Sequence, residues 1–259
     1  RQELERGEVK QACSRLTEAK LFAVSGKFSV RNPTQEQKVA AILTAEMQPL
    51  HIACGAAVSG SLNFIRRTNS AYYNAAVWLR FSDFADAVSK AIAARGIRAP
   101  ILILKADGGT LPLAKARELP VESIFTGPAA SVLGVMGLCS PAKPAVSLDI
   151  GGTTTDIALW KGGAPVMDDK GAAIDSYITA VRTFRLQSIG LGGDSWLRRA
   201  GDQLLIGPER KGPAMALGGA EPTVTDALIV AGLSDFGDRG LAEAAIQRLL
   251  FPGKSLQET

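Results

Sequence analysis

The sequence predicts an α/β protein built in two parts. Three observations carry this. Helix-like and strand-like patterns alternate over the first hundred or so residues; the pattern breaks at Ser140, Pro141, Lys143 and Pro144; and short alternating runs with glycine turns follow. With 259 residues, 46% of them apolar and 21% charged, the chain has enough to bury and too little charge to stay disordered. Its 27 Gly and 13 Pro exceed the roughly 12% that average usage supplies. The excess implies many tight turns, or backbone that comes close to something.

The elements follow in order. A charged, amphipathic opening to about Lys20 reads as helix, Leu21 to Val24 as a short strand, and Pro33 starts a helix to about Ala45. His51 to Cys54 reads as a second strand, with His51 structural rather than catalytic. After a polar loop, one helix is expected through Arg67 to Val77 and another from Ser82 to about Arg95, stopped by Gly96 and Pro100. Ile101 to Leu104 is a continuous apolar run, as in a strand covered on both faces, and it ends in the turn signal Lys105-Ala106-Asp107-Gly108-Gly109. The helix from Gly127 to Leu138 has an apolar stripe (Ala129, Val132, Leu133, Met136) and a small one (Gly127, Ala130, Ser131, Gly134). The small stripe suits either a junction between lobes or ordinary close packing. A lobe boundary is placed after residue 142, giving parts 1–142 and 143–259. Beyond it come a hairpin from Ala145 to Trp160, a turn at Gly162-Gly163 into Pro165 to Met167, and a glycine-rich stretch around Gly190. Helices are then expected from about Ser195, from Pro222 to Gly232, and from Leu241 to Leu250, stopped by Pro252-Gly253.

Composition excludes several function classes. A net charge of +4, without basic blocks, argues against a nucleic-acid surface. Cys13, Cys54 and Cys139 are far apart and lack metal-ligand spacing, which favours a reducing, cytoplasmic setting over a disulfide scaffold. With His51 as the one histidine, a zinc site built on several imidazoles is excluded. The uncharged run Ser123 to Ala142 holds Pro128 and several polar residues, so it reads as a soluble helix and no membrane association is expected. No signal peptide opens the chain and its first residue is Arg1, so it reads as a fragment or a processed product.

The densest constellation is Val146-Ser147-Leu148-Asp149-Ile150-Gly151-Gly152-Thr153-Thr154-Thr155-Asp156-Ile157. A Gly-Gly pair between alternating runs predicts a two-residue hairpin turn. Asp149 would then face Thr154, and Ser147 would face Asp156. Ser147, Asp149, Thr154 and Asp156 share one face, and Val146, Leu148, Ile150 and Ile157 the other. Glycine N–H groups at such a turn reach phosphate oxygens with no Cβ in the way, and carboxylates suit Mg²⁺. A hairpin with a merely solvated polar face fits the spacing equally well.

This stretch resembles the second phosphate loop of the actin, sugar-kinase and heat-shock-chaperone ATPase superfamily, and Thr126 to Val132 resembles its lobe-connecting helix. More narrowly, an ordered set of segments resembles the hydantoinase/oxoprolinase family of ATP-dependent cyclic amide hydrolases. They are Arg67-Thr68 with Asn74-Ala75, Phe125 to Ala130, Asp149 to Asp156, Ser188 to Ser195, and Glu221 to Ala227. The resemblance implies an actin-like (ribonuclease H-like) two-lobed fold, incomplete in this chain. Residues 1–142 would be the C-terminal part of the first lobe with the connecting helix, and 143–259 the second lobe with the phosphate-2 loop. It further implies ATP in the cleft and a small cyclic amide substrate of hydantoin or 5-oxoproline type. That ring would be opened after phosphoryl activation of its carbonyl, with a partner subunit or a second copy as assembly partner. On this reading Gly151, Gly152, Thr153, Thr154, Gly192 and Gly193 contact the nucleotide. Asp149 organises Mg²⁺ and is catalytic, and Asp156 supports the ion or orients water.

Other candidates stay open to a plainer reading. Gly190 to Ser195 precedes an expected helix, whose start attracts anions, yet Asp194 and Ser195 read better as its caps. Thr225 and Asp226 could touch substrate or cap their helix, and Asp107 could face the cleft or simply close a turn. Three departures from the family stand out. Nothing before Leu21 resembles the first phosphate loop; Gln187 stands where a histidine is usual; and Ile206 to Pro213 is shortened, more basic, and without the usual cysteine-tyrosine pair. They keep two alternatives in view, a non-hydrolytic ATP-binding or regulatory module and an ATP-using carboxylase subunit of the same fold.

Overall fold

The computed structural model describes residues 6–16, 18–139, 141–250 and 255. The expected helix stop at Pro252-Gly253, and Ser140 in the boundary, lie outside the described residues. The chain packs as two units: Arg1–Ser140 with Pro165–Arg185, and Pro141–Ala164 with Leu186–Thr259. Where the sequence suggests a single boundary after residue 142, the chain crosses three times and lends 165–185 to the first unit.

The first unit begins with α1 (Arg6–Cys13), β1 (Leu21–Val24), α2 (Thr34–Met47) and β2 (His51–Cys54). β1 and β2 are parallel, Leu21 opposite His51 through Val24 opposite Cys54, so α2 is the crossover that parallel strands require. Val9 and Cys13 of α1 and Leu43 of α2 bury Phe22 of β1. After α3 (Gly55–Val58) comes α4 (Phe64–Ala94), one 31-residue helix where the sequence suggests two. Neither Gly nor Pro interrupts it, and Asn63 caps it by accepting a hydrogen bond from the Arg66 N–H at 3.1 Å. Its buried stripe, Arg67, Ser70, Ala71, Asn74 and Ala75, has helical spacing but is small or polar, so apolar periodicity undercounts it.

That polar stripe fastens loops. Fully buried Arg67 donates through Nη1 to the Ser61 carbonyl at 2.6 Å and through Nη2 to the carbonyls of Gly26 and Lys27 at 2.6 and 3.1 Å. Asn74 accepts from the Val121 N–H and donates to the Glu118 carbonyl. The family-like residues of this helix are therefore structural ties. His51 stacks on Trp78 at 4.9 Å between ring centroids, and burial pushes its pKa below the ordinary value.

β3 (Leu102–Leu104) and β4 (Thr110–Pro112) form a hairpin, followed by α5 (Leu113–Glu118) and α6 (Thr126–Leu138). Leu102 is 54% exposed, so β3 is not covered on both faces. On α6 the apolar stripe buries Ala129 and Val132, while a Cβ at Gly127 or Gly134 would meet nothing within 4 Å.

β5 (Ala145–Ile150) and β6 (Thr155–Lys161) open the second unit. The chain passes through β7 (Ala164–Pro165) and gives the first unit the small hairpin β8 (Ala173–Ile174) and β9 (Tyr177–Ile178). It returns as β10 (Leu186–Ile189), which completes an antiparallel sheet of order β10-β6-β5. Then follow β11 (Ser195–Ala200) and β12 (Gln203–Arg210), paired antiparallel, and the helices α7 (Val224–Val230) and α8 (Arg239–Gln247). The helix expected from Ser195 is thus a strand. Ser195 and Leu197 are buried while Trp196 and Arg198 are half-exposed, a period of two rather than 3.6. Leu197, Ile229, Val230 and Ile246 form the core of this unit. Among the described residues no helix is long and apolar enough to cross a membrane.

Candidate functional site

The β5–β6 hairpin pairs Ile150 with Thr155, Asp149 with Asp156 and Ser147 with Ala158. The expected two-residue turn is therefore a four-residue loop, Gly151 to Thr154, and every pairing moves by two positions. An even shift keeps each side chain on its predicted face. Asp149 and Asp156 now stand directly opposite one another, with Cβ atoms about 4.5–5.5 Å apart, as such pairs do. Thr154 leaves the sheet face for the loop. Behind the carboxylates that face turns inward, where buried Trp160 donates from Nε1 to Ser147 Oγ at 2.9 Å. The opposite face stays open, with Val146, Leu148 and Ile150 all exposed.

The second glycine run packs its backbone against this loop. Gly193 N–H donates to the Gly151 carbonyl at 3.0 Å and Asp194 N–H to the Gly152 carbonyl at 2.7 Å. Gly192 lies so close that a Cβ there would sit 2.5 Å from both the Gly151 oxygen and the Gly152 carbonyl carbon. Thr155 Oγ1 adds a 2.6 Å bond to the Leu191 carbonyl. Both peptides of the first loop are trans, so their N–H groups point opposite to their carbonyls. With the carbonyls of Gly151 and Gly152 turned to the second run, the N–H groups of Gly152 and Thr153 point away from it. Among the described residues, the N–H groups of Gly152, Thr153 and Thr154 have no protein acceptor, whereas Gly151 N–H donates to the Thr154 carbonyl at 2.9 Å. Adjacent backbone donors of this kind form an anion-binding concavity.

Several expectations change. Gly192 and Gly193 do not offer donors to a ligand, because Gly192 N–H is held by Ser195 Oγ at 2.9 Å and Gly193 N–H by Gly151. They back the first loop instead. With no helix beginning at Ser195, neither Asp194 nor Ser195 is a cap. Ser195 is buried at the start of β11, and Asp194 forms an ion pair with Arg210, its Oδ2 at 2.8 Å from Nη2 and 2.9 Å from Nε.

Thr225 ties α7 to the loop, both its N–H and its Oγ1 donating to the Gly193 carbonyl at 2.9 Å. Asp226 is fully buried in a capping box with Thr223 and accepts from the N–H groups of Met215, Ala216 and Thr223. It has no surface for a substrate. Asp107 closes the β3–β4 turn, accepting from Gly109 N–H at 3.0 Å and pairing with Lys105 at 3.2 Å. Burial opposes its charge, but the Gly109 N–H and Lys105 outweigh burial and hold its carboxyl below the ordinary value. Gln187 stands opposite Ile157, hence on the other face from Asp149 and Asp156, and Ser188 is the residue beside Asp156.

No group of three or more His, Cys, Asp or Glu residues converges on a metal position among the described residues. The opposed pair Asp149 and Asp156 nevertheless suits Mg²⁺, which takes one or two carboxylates and completes its shell with phosphate and water. Like charges directly opposite on a ladder are unfavourable, and a divalent cation relieves them. Arg210 is the residue of this neighbourhood that the sequence reading did not single out. Its signal was the basic character of the segment 206–213, but only the β11–β12 register, Ser195 opposite Arg210, brings it to Asp194.

The chain is similar to several known proteins. Over 222 residues the chain is 30% identical to the caprolactamase subunit alpha of Pseudomonas jessenii, covering 81% of this chain and 31% of that protein. It is 29% identical over 231 residues to the acetophenone carboxylase gamma subunit of Aromatoleum aromaticum, covering 83% and 31%. The chain thus spans about a third of the length of these relatives. Among solved structures, a nucleotide-free acetone carboxylase superposes with a TM-score of 0.77 at 23% identity, over 97% of this chain and 38% of that one. The ATP-dependent caprolactamase of Pseudomonas jessenii superposes with a TM-score of 0.70 at 26% identity, over 98% and 40%. The α/β architecture is accordingly of the actin-like ATPase type and forms part of a longer fold in these neighbours. The hydantoinase/oxoprolinase family model matches residues 67–235, a span that includes both glycine runs, the carboxylate pair and α7; the chain belongs to the hydantoinase/oxoprolinase family.

Proposed function

We propose that this chain is the phosphate-holding part of an ATP-dependent hydrolase that opens a cyclic amide of the hydantoin or 5-oxoproline type. The observation that carries this reading is the set of N–H groups at Gly152, Thr153 and Thr154, without an acceptor among the described residues and adjacent to the Asp149–Asp156 pair. In this role Gly152, Thr153 and Thr154 bind phosphate oxygens through their backbone, and Gly192 and Gly193 hold the loop in shape from behind. Asp149 holds Mg²⁺, and Asp156 supports that ion or orients the attacking water. ATP supplies the phosphoryl group that makes the ring carbonyl oxygen a leaving group and its carbon open to water. The protein's share is positioning and charge screening, which are the main contributions in phosphoryl transfer. Residues 1–142, together with the segment 165–185 that packs with them, would carry the end of the first lobe with the connecting helix, and the remainder of 143–259 the second lobe. The relatives named as subunits support a partner subunit as the working assembly.

The test follows Mg-ATP turnover by the full protein, with its partner subunit where one exists, with and without hydantoin and 5-oxoproline. The expected result is ADP release stimulated by one ring substrate and abolished in Asp149→Ala. ATP turnover indifferent to every ring amide would remove the hydrolase assignment. A second reading, an ATP-using carboxylase subunit, is favoured by the similarity to the acetophenone carboxylase gamma subunit. ATP consumption that depends on bicarbonate and a ketone would select it.

A further inference from the structure

We infer that Arg210 is a phosphate-binding cation of this loop and that Asp194 is the anion it holds until a phosphate takes its place; this rests on the phosphate-loop reading above. The Asp194 carboxylate lies against the loop itself, its Oδ2 2.9 Å from where a Cβ on Gly152 would be. The backbone of the same residue donates to the Gly152 carbonyl, so the side chain starts from a fixed point at the edge of the loop. Two nitrogens of Arg210, Nε at 2.9 Å and Nη2 at 2.8 Å, converge on that one oxygen. A single carboxylate oxygen shared by two guanidinium donors uses little of what a planar fork offers. A phosphate supplies several oxygens and about twice the charge, which suits such a fork better.

The surroundings favour a second anion over a second cation. Arg198 and Lys211 both pack on the Trp196 ring, 5.0 and 5.1 Å from its centroid, and Lys211 makes no ion pair among the described residues. Glu209 is taken by Arg198 at 2.6 Å, so Asp194 is the carboxylate paired with Arg210. Arg210 is half-exposed and Asp194 only 18% exposed, so the guanidinium is the member of the pair that an anion in solution can reach. The exchange is one of partners only: Arg210 passes from a carboxylate to a phosphoryl oxygen and Asp194 rotates to water, with no bond made or broken. The basic segment 206–213, which the family resemblance leaves unexplained, gains a use.

The test measures equilibrium binding of ATP, tripolyphosphate and adenosine to the full chain and to Arg210→Gln, Asp194→Asn and Gly152→Val, with circular dichroism as the check on folding. Arg210→Gln should weaken ATP and tripolyphosphate by about 10- to 100-fold, the worth of a charge-assisted contact, and leave adenosine unchanged. Asp194→Asn should tighten both polyphosphates, because the resident anion no longer competes. Polyphosphate affinity equal to wild type in Arg210→Gln overturns the inference, and so does Asp194→Asn weakening binding as Arg210→Gln does. If Gly152→Val abolishes binding while Arg210→Gln does not, the phosphate loop stands and this inference alone falls. If the wild type takes up neither polyphosphate, both fall.

Discussion

Replacing Gly192 by alanine adds one methyl group at the most crowded point of the site. The new Cβ would lie 2.5 Å from the Gly151 oxygen and the Gly152 carbonyl carbon and 2.6 Å from the Gly152 oxygen. All three are backbone atoms, so no side chain can rotate away and the two loops must part. Overpacking of this kind costs about 1–3 kcal/mol. Parting also strains or breaks the bonds Gly193 to Gly151 and Asp194 to Gly152, each worth about 1 kcal/mol. A loss of about 3 kcal/mol follows. In urea, with a slope of about 2 kcal/mol/M, the midpoint should fall by about 1.5 M. A Trp78→Phe background leaves Trp160 and Trp196 as reporters, both in the second unit. Gly134→Ala, in the first unit and followed by circular dichroism, is the control for adding a methyl group to a glycine, since its Cβ meets nothing within 4 Å and alanine is the better helix former by about 1 kcal/mol. It should hold or raise stability. A Gly192→Ala midpoint unchanged from wild type, or moving with Gly134→Ala, would refute the loop-on-loop packing.

Two further substitutions probe the residues assigned to structure. Asp226→Asn sets an NH₂ group against the N–H groups of Met215, Ala216 and Thr223 in a fully buried pocket, so thermal unfolding should show a loss of about 2–4 kcal/mol; near-native stability would reopen a ligand role for this carboxylate. For His51 the sign follows from its lowered folded pKa. The unfolded chain protonates first as pH drops below about 6.5, so stability declines from there downward, and His51→Phe, which keeps a ring against Trp78, should flatten that slope between about pH 7 and 5.5. An unchanged pH profile in His51→Phe would assign the slope to other groups.

Much of the fold was legible because it follows local rules. The β1–α2–β2 crossover, the β3–β4 turn, α6 and α7 stand where period, Pro and Gly mark them, and α8 starts two residues earlier and ends three earlier than its apolar period suggests. The failures share a cause: in each, a partner distant in sequence outweighs the local pattern. The stripe of α4 is polar because Arg67 and Asn74 tie down loops that no window of the helix contains. Ser195 to Ala200 resembles a helix start after glycines, yet β12 pairs with it and fixes it as strand. The hairpin was misread in turn length but not in face, because a two-residue shift preserves the alternation on which the carboxylate pairing depends. Asp149 and Asp156 could therefore be placed together from sequence, while the Arg210–Asp194 contact could not.

The division of labour between the two glycine runs follows from peptide geometry. In a trans peptide the carbonyl of one residue and the N–H of the next point in opposite directions. Pinning the carbonyls of Gly151 and Gly152 to Gly193 and Asp194 thus aims the N–H groups of Gly152 and Thr153 together, away from the second run. Donors held parallel in this way repel one another slightly and attract an anion, and no reorganisation is needed when one arrives. That arrangement depends on the second run lying within hydrogen-bond reach, which the absence of a side chain at Gly192 permits. The first run supplies the donors and the second fixes their direction. The glycine excess of the sequence is in this region a requirement for close backbone approach rather than for turning.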